Sequence, residues 1–232
     1  MPSAFRFITA MNTAAGPDAM NTDALVSLLA TDIAPVRGDT VKRYLTASSL
    51  LAYIGASVFA LVGYGLRPDM AIMLVTPLFW LKLALPLSLA VGAYMMLERL
   101  VRPGQAVGRR WSGIAMPVLA VWLAAVIVLW EAPPTLRASL LMGKTWRTCP
   151  FNIALLSVPC LVAVLFAVRQ LAPTHRSIAG AVAGLLAGAI GTLAYCLHCP
   201  EMGVPFWATW YLLGMAIPTA IGALLGRHVV RW

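Results

Sequence analysis

The sequence predicts an all-α integral membrane protein, a bundle of six transmembrane helices with both termini on the cytoplasmic side. Only 11% of the 232 residues are Asp, Glu, Lys or Arg, whereas a soluble protein has about 25%. The hydrophobic fraction is 61% and the mean hydropathy is +0.85, which is more apolar side chain than the core of a compact domain can hold. A lipid-facing surface is therefore expected.

The first 45 residues precede the apolar part of the chain and are more polar. Residues 1–43 contain no long apolar run followed by a small-residue cleavage site, so a secretory signal peptide is not expected. A disordered extension is predicted for residues 1–19. Residues 20–45 are predicted to be a cytoplasmic amphipathic segment.

This amphipathic segment has the features of a short helix. Thr22 or Asp23 can cap its start, and apolar residues recur on one face at helical spacing. Its polar face carries Asp23 and Asp32, which disfavours adsorption to anionic lipid and favours docking to a partner protein. The predicted contact residues are Asp23, Leu25, Val26, Leu28, Leu29 and Ile33.

Six apolar blocks follow, each of about the 20 residues that a helix needs to cross about 30 Å of hydrocarbon. Because no water reaches the bilayer core, such blocks form helices or a closed barrel, and these lack the alternating polar pattern of barrel strands. Turn-forming residues separate these blocks, among them Arg67-Pro68-Asp69 and Pro133-Pro134. The predicted helices cover residues 46–66, 74–97, 111–130, 149–168, 178–198 and 205–225, in a membrane domain at 46–226 followed by a cytoplasmic tail at 227–232.

The basic residues predict the orientation of this bundle. Of 17 Lys and Arg residues, 12 fall in the N-terminal segment, the second and fourth loops and the tail, four fall on the other side, and Lys82 lies within a helix. Cytoplasmic loops carry the excess of Lys and Arg, so both termini are expected in the cytoplasm. Membrane topology thus explains the net charge of +9, and direct nucleic-acid binding is not expected.

The cysteines are the strongest chemical signal. Cys149 opens the fourth predicted helix and Cys199 closes the fifth, so both lie at the non-cytoplasmic ends of helices that a short loop makes antiparallel neighbours. Two thiols at one depth can come within disulfide reach, and a periplasmic face permits oxidation. Cys196, His198 and Glu201 lie close by in the sequence, and with Cys149 they are enough for a soft-metal site.

Other interpretations of these cysteines stay open. Cysteine also packs as a small hydrophobe, and Cys160, about 16 Å down its helix, is assigned to packing. Cys196 and Cys199 have the spacing of a redox motif, but a helix C-terminus lacks the dipole that lowers a thiol pKa. No cofactor is required, and transient zinc or heavy-metal binding at Cys149 and Cys199 is the metal interaction that the sequence allows.

Lys82 is the second signal, because a Lys near the bilayer centre costs at least about 2.5 kcal/mol. Its side chain can extend to the interface about 12 Å away, or it can pair with backbone carbonyls or a thiolate. An ion path is disfavoured, since Glu98 and Glu131 lie at helix ends rather than beside it.

Several motifs in order carry a resemblance to a known family. They are Thr22-Asp23-x-Leu25, Arg67-Pro68-Asp69, Thr76-Pro77-x-Phe79-Trp80-Leu81-Lys82, Thr145-Trp146-Arg147-x-Cys149, Leu197-His198-Cys199-Pro200-Glu201, Trp210-Tyr211 and Arg231-Trp232. Over residues 20–232 the chain resembles the NrsF (negative regulator of sigma F) family of six-helix anti-sigma factors of the bacterial inner membrane. Such a protein is a regulator and not an enzyme.

The resemblance implies a function for each side of the membrane. The cytoplasmic N-terminal segment would sequester an extracytoplasmic-function sigma factor. Two periplasm-side cysteines, which the motifs identify as Cys149 and Cys199, would sense metal or oxidative stress and release it. Cys160 and Cys196 lie outside the family pattern, which leaves a three-thiol metal site open beside a simple pair. Residues before Met20 precede the usual start of the family.

Three other functions fit part of the pattern. A small metal-ion transporter or channel would use the Cys and His residues and Lys82, but intramembrane carboxylates and an inverted repeat are missing from the sequence. A membrane thiol oxidoreductase would need a second redox pair of cysteines. A structural membrane protein would need no chemistry at all.

Overall fold

The computed structural model describes residues 22–30, 40–102, 108–171, 173 and 175–229. The chain divides into two units, Met1–Gly38 and Asp39–Trp232. The first unit contributes helix α1 (Thr22–Ala30), in which Leu25 and Val26 are exposed. The predicted extension at 1–19 and the predicted contact residue Ile33 lie outside the described residues.

The second unit is a bundle of helices. Within the described residues, six helices are long and apolar enough to cross a membrane and no strand occurs, which confirms the all-α, six-span part of the prediction. These six are α2 (Thr40–Gly63), α4 (Pro77–Leu100), α5 (Ser112–Glu131), α7 (Cys149–Arg169), α8 (Arg176–Tyr195) and α9 (Val204–Val229). Two short helices, α3 (Met70–Leu74) and α6 (Pro134–Met142), lie between them.

Proline sets the helix boundaries that hydropathy placed differently. The second span was predicted from residue 74, but α4 starts at Pro77 after an extended Thr76, because proline lacks an amide hydrogen and fits the first helical turn. Pro134 begins α6 in the same way. The Pro133-Pro134 pair was interpreted only as a turn, so α6 was not predicted.

The end of α8 positions a cysteine. This helix was predicted to reach residue 198, but it ends at Tyr195. The chain then continues for one turn, in which the Cys199 amide donates to the Tyr195 carbonyl at 3.0 Å. Pro200 has no amide hydrogen to continue the series. Cys199 therefore lies just beyond the C-terminus of α8.

Helix α8 forms the centre of the bundle, where it packs against α2, α4, α7 and α9. Its glycines allow a close crossing with α9, as small residues do between membrane helices. A Cβ atom added at Gly184 would lie 2.1 Å from the Pro218 carbonyl oxygen, and one at Gly180 would lie 2.1 Å from that of Gly222. Helix α5 lies at the periphery and packs on α4.

Helix directions define two ends of the bundle. Helices α2 and α8 finish, and α4, α7 and α9 begin, at the end that we call the thiol end because it carries Cys149 and Cys199. The opposite end carries the start of α2 and most of the described basic residues, which are Lys42, Arg43, Arg99, Arg102, Arg109, Arg110, Arg169, Arg176 and Arg227. The last residues of α9, 227–229, belong to the predicted tail, whose residues 230–232 lie outside the described chain.

The close crossing of α8 and α9 makes a stability prediction. We expect Gly184→Ala to lower the free energy of unfolding by about 1–3 kcal/mol, because overpacking forces the two backbones apart. Thermal unfolding in detergent, followed by circular dichroism, measures the change. Gly55→Ala is the matched control, since a Cβ atom at Gly55 meets nothing within 4 Å. Equal melting temperatures for both variants would contradict the close crossing.

Candidate thiol site

Cys149 and Cys199 meet at the thiol end. Pro150 lies in the first turn of α7 and fixes its start at Cys149, while Cys199 ends the turn that follows α8. Both side chains are fully buried and both are free thiols. The two cysteines lie side by side in the buried cluster at this end. The structure thus brings together the two cysteines on which the sequence analysis concentrated.

Lys82 binds the backbone on both sides of Pro200. Its ammonium donates to the Cys199 carbonyl at 2.6 Å and to the Glu201 carbonyl at 2.9 Å. It also lies 5.8 Å from the ring centre of Tyr211, and the face of an aromatic ring attracts a cation. The side chain is 0% exposed, so Lys82 pairs with backbone carbonyls inside the protein.

Arg67 brings a second cation to the same place. One guanidinium nitrogen, Nη1, donates to the Cys199 carbonyl at 3.2 Å. The Nε and Nη2 atoms donate to the two carboxylate oxygens of Asp69 at 2.6 and 2.7 Å, the two-pronged arrangement that holds arginine firmly. This contact with Arg67 lowers the pKa of the Asp69 carboxyl. The α2–α3 connection is thereby attached to the turn that carries Cys199.

Glu201 attaches the same turn to the connection between α6 and α7. Its Oε1 atom accepts hydrogen bonds from the backbone amides of Lys144 (2.7 Å) and Thr145 (3.0 Å). Gly143 has a φ of 57°, and a Cβ atom there would come within 2.6 Å of Glu201 Oε2. The carboxylate can therefore approach only because residue 143 is glycine. The Glu201 carbonyl also accepts from Trp207 Nε1 at 3.2 Å.

The predicted accessory residues each have a different partner. His198 Nδ1 lies 3.2 Å from the Gly65 carbonyl oxygen, and the Cys196 thiol donates to the Tyr211 hydroxyl at 3.9 Å. Within the residues that the structure describes, no group of three or more His, Cys, Asp or Glu side chains could hold a metal ion. A role of Cys196, His198 and Glu201 in metal or redox chemistry stays a prediction.

The pKa values of the two cysteines that follow α8, Cys196 and Cys199, are shifted in opposite directions. Contact with the Cys149 thiol is the largest of several effects that lower the pKa of Cys199, and the Lys82 ammonium and Tyr211 hydroxyl add to it against the cost of burial. Burial raises the pKa of Cys196 to about 12. Position after a helix C-terminus predicted no lowering of the Cys199 pKa, because Cys149 and Lys82, which contribute to it, lie far away in the sequence.

Comparison with known proteins identifies the family. The family model described as "NrsF: Negative regulator of sigma F" matches residues 29–232. The chain belongs to the NrsF family. This confirms the resemblance inferred from the motifs.

Two curated relatives resemble this NrsF-family chain along most of its length. It is 42% identical over 214 residues to the "Probable anti-sigma-F factor NrsF" of Azospira oryzae. It is 35% identical over 215 residues to the "Anti-sigma-F factor NrsF" of Caulobacter vibrioides. Each match covers 92% of this chain and all of the relative. No solved structure matches the chain significantly.

The NrsF motifs contained site residues whose role the sequence analysis missed. Arg67 and Asp69 were noted only as part of a motif and as turn chemistry, yet they form the ion pair beside Cys199. Tyr211 was likewise noted in a motif, and it faces Lys82 and Cys196. The signal was the presence of these polar residues in motifs at helix ends, although only the fold shows what each of them contacts.

The contrast between Cys199 and Cys196 predicts different pH profiles of alkylation. The thiolate is the reacting species, so the rate at Cys199 should change little from pH 7 to 9 and fall only at lower pH, below its depressed pKa. The rate at Cys196 should keep rising with pH over that range, because its pKa is about 12. Iodoacetamide labelling of the purified protein, with peptide mass spectrometry, measures both sites.

Static exposure does not separate the two sites in this experiment, since both thiols are 0% exposed. Parallel pH profiles at the two cysteines would contradict the predicted electrostatic difference.

Proposed function

We propose that this NrsF-family protein is a membrane-bound anti-sigma factor of the bacterial inner membrane and not an enzyme. It sequesters an extracytoplasmic-function sigma factor in the cytoplasm and releases it when Cys149 and Cys199 react with a metal ion or an oxidant in the periplasm. The meeting of these two free and buried thiols at one end of the bundle is the observation that carries the proposal. The names of the two relatives support the sigma-factor partner.

Charge and chain direction support the assignment of the two sides. The opposite end of the bundle is rich in arginine, including Arg99, Arg109 and Arg110, as expected of the cytoplasmic face. Helix α2 begins at that end with Thr40, so the segment that contains α1 is proposed to lie in the cytoplasm. The exposed Leu25 and Val26 of α1 are proposed contacts for the sigma factor, together with Asp23, Leu28, Leu29 and Ile33.

Two adjacent thiols support the proposed sensing chemistry. A two-electron oxidant can join them in a disulfide, taking up two electrons and two protons as the S–S bond forms. A thiophilic cation such as zinc or cadmium can instead bind both sulfurs after they lose their protons. Either reaction changes the turn that carries Cys199, which Arg67, Lys82 and Glu201 attach to three other parts of the bundle.

Release of the sigma factor then requires that the modified and unmodified thiol pairs favour different arrangements of the bundle. The shift can be no larger than the difference in free energy that the modification makes between those arrangements. The lipid bilayer that surrounds the bundle is the other partner, and it keeps the thiol pair and the α1 segment on separate sides.

The proposed contact surface on α1 makes a binding prediction. We expect Leu25→Asp to reduce the sigma factor retained by the protein at least about tenfold, because an unpaired carboxylate is costly to bury in an apolar contact. The protein is purified from detergent extracts, and copurifying sigma factors are quantified by mass spectrometry. Leu66→Asp is the control, since Leu66 is an exposed leucine at the thiol end. Equal retention by both variants would reject α1 as the sigma-binding element.

The thiol pair makes a signalling prediction. We expect Cys149→Ser with Cys199→Ser to abolish induction of the sigma regulon by cadmium, chromate or a hydroperoxide, because serine forms neither a disulfide nor a strong bond to a soft metal. Transcripts of the regulon are measured before and after challenge. Cys160→Ser is the control, because the Cys160 thiol lies in the core and donates to the Ala52 carbonyl. Normal induction in the double variant would refute cysteine sensing.

A further inference from the structure

Lys82 carries a buried positive charge that the established family membership does not explain. Its side chain is 0% exposed, and the ion pairs found among the described residues join Arg67 to Asp69 and Arg102 to Glu98, not a carboxylate to Lys82. Removing a charge from water carries a large free-energy cost unless other groups compensate it. We therefore expect the buried charge of Lys82 to have a functional role.

The contacts of Lys82 show what it fixes. Arg67 binds the Cys199 carbonyl and Trp207 binds the Glu201 carbonyl, but among the described side chains Lys82 is the one that binds both. It therefore spans the Cys199-Pro200-Glu201 turn and attaches it to the first turns of α4. The amide of Cys199 is already used at the end of α8, so both backbone groups of this residue are held.

We propose that Lys82 is a positioning residue that holds Cys199 against Cys149 and thereby sets how fast the two sulfurs form a disulfide. The inference deepens the proposed function, since it concerns the same thiol pair. Ring closure between two sulfurs needs them close together and correctly oriented, and small misplacements slow such reactions strongly. The cation also stabilises the negative sulfur that makes the first attack.

The chemistry can be followed with diamide, a small uncharged azo oxidant. One cysteine sulfur adds to the N=N bond as a thiolate, and the second displaces the resulting hydrazide nitrogen from it. The S–S bond forms, the azo group gains two electrons and the two thiol protons, and a hydrazine leaves. Both steps depend on features that Lys82 provides, which are the charge near Cys199 for the addition and the fixed turn for the displacement.

The test measures the rate of the Cys149–Cys199 disulfide in the purified full-length protein in detergent, with no sigma factor present. Diamide is added, the reaction is stopped with acid and an alkylating agent, and the disulfide is quantified by peptide mass spectrometry. We expect Lys82→Met to slow the reaction at least about tenfold, and Lys82→Arg to restore it to within a few-fold of the original rate. If Lys82 only stabilised the fold, variants of equal stability would form the disulfide at equal rates, whether or not they keep the positive charge.

Two controls accompany these variants. Lys144→Met removes a lysine at the same end whose side chain is exposed and whose contact with Glu201 is made by its backbone amide, so it should react like the original protein. Thermal unfolding followed by circular dichroism reports whether a variant is folded. If Lys82→Met is not folded, the comparison of Lys82→Arg with Lys82→Gln decides, and a slower rate for glutamine supports the proposal.

The proposal is overturned if folded Lys82→Met forms the disulfide at the original rate, or if the arginine and glutamine variants react equally fast. These outcomes are separate from the fate of the proposed function. Normal sigma induction in the double cysteine variant would reject cysteine sensing and leave the role of Lys82 in thiol chemistry intact. Loss of induction in that variant, with no effect of Lys82 on the disulfide rate, would support cysteine sensing and reject the role of Lys82.

Discussion

The ammonium of Lys82 lies where no water reaches it, and its charge is balanced by two carbonyl oxygens, at 2.6 and 2.9 Å, and by the face of Tyr211. The geometry of the thiol end follows from this requirement. The turn that follows α8 presents the carbonyls of Cys199 and Glu201 toward α4, and Pro200 lies between them. Cys199 is carried by the turn to a position against Cys149 at the start of α7.

The same turn collects contacts from distant parts of the chain. Arg67 reaches it from the α2–α3 connection, and Glu201 extends from it to the amides that precede α7. The contact from Arg67 to the Cys199 carbonyl is charged and buried, and such an interaction is strong where the dielectric is low. The turn that carries Cys199 is thus attached to several distant parts of the bundle. This is the physical basis on which a thiol pair could alter the whole bundle.

Much of the fold was predictable because hydropathy is a property of the sequence alone. A chain with 61% apolar residues in blocks of about 20 has few structures available to it in a bilayer, and all six spans were placed close to their true positions. The errors came where local chemistry overrides hydropathy. Pro77 and Pro134 begin helices, and α8 ends at Tyr195, where one further turn leads to Pro200. The spaced glycines Gly180, Gly184 and Gly188 can be read from the sequence, but only the structure shows that they pack against α9.

The sequence by itself determined the fold class, the family and the helix ends at which Cys149 and Cys199 lie, because these depend on composition, motif order and counting residues along helices. Only the tertiary structure decided what surrounds the thiols. Lys82 was visible as an isolated intramembrane charge, yet its partners are 117 and 119 residues away, and Arg67 is 132 residues from the carbonyl that it binds. No local rule connects such positions. They meet because helix packing fixes where each side chain ends, and a buried charge then accepts only the geometry that satisfies it.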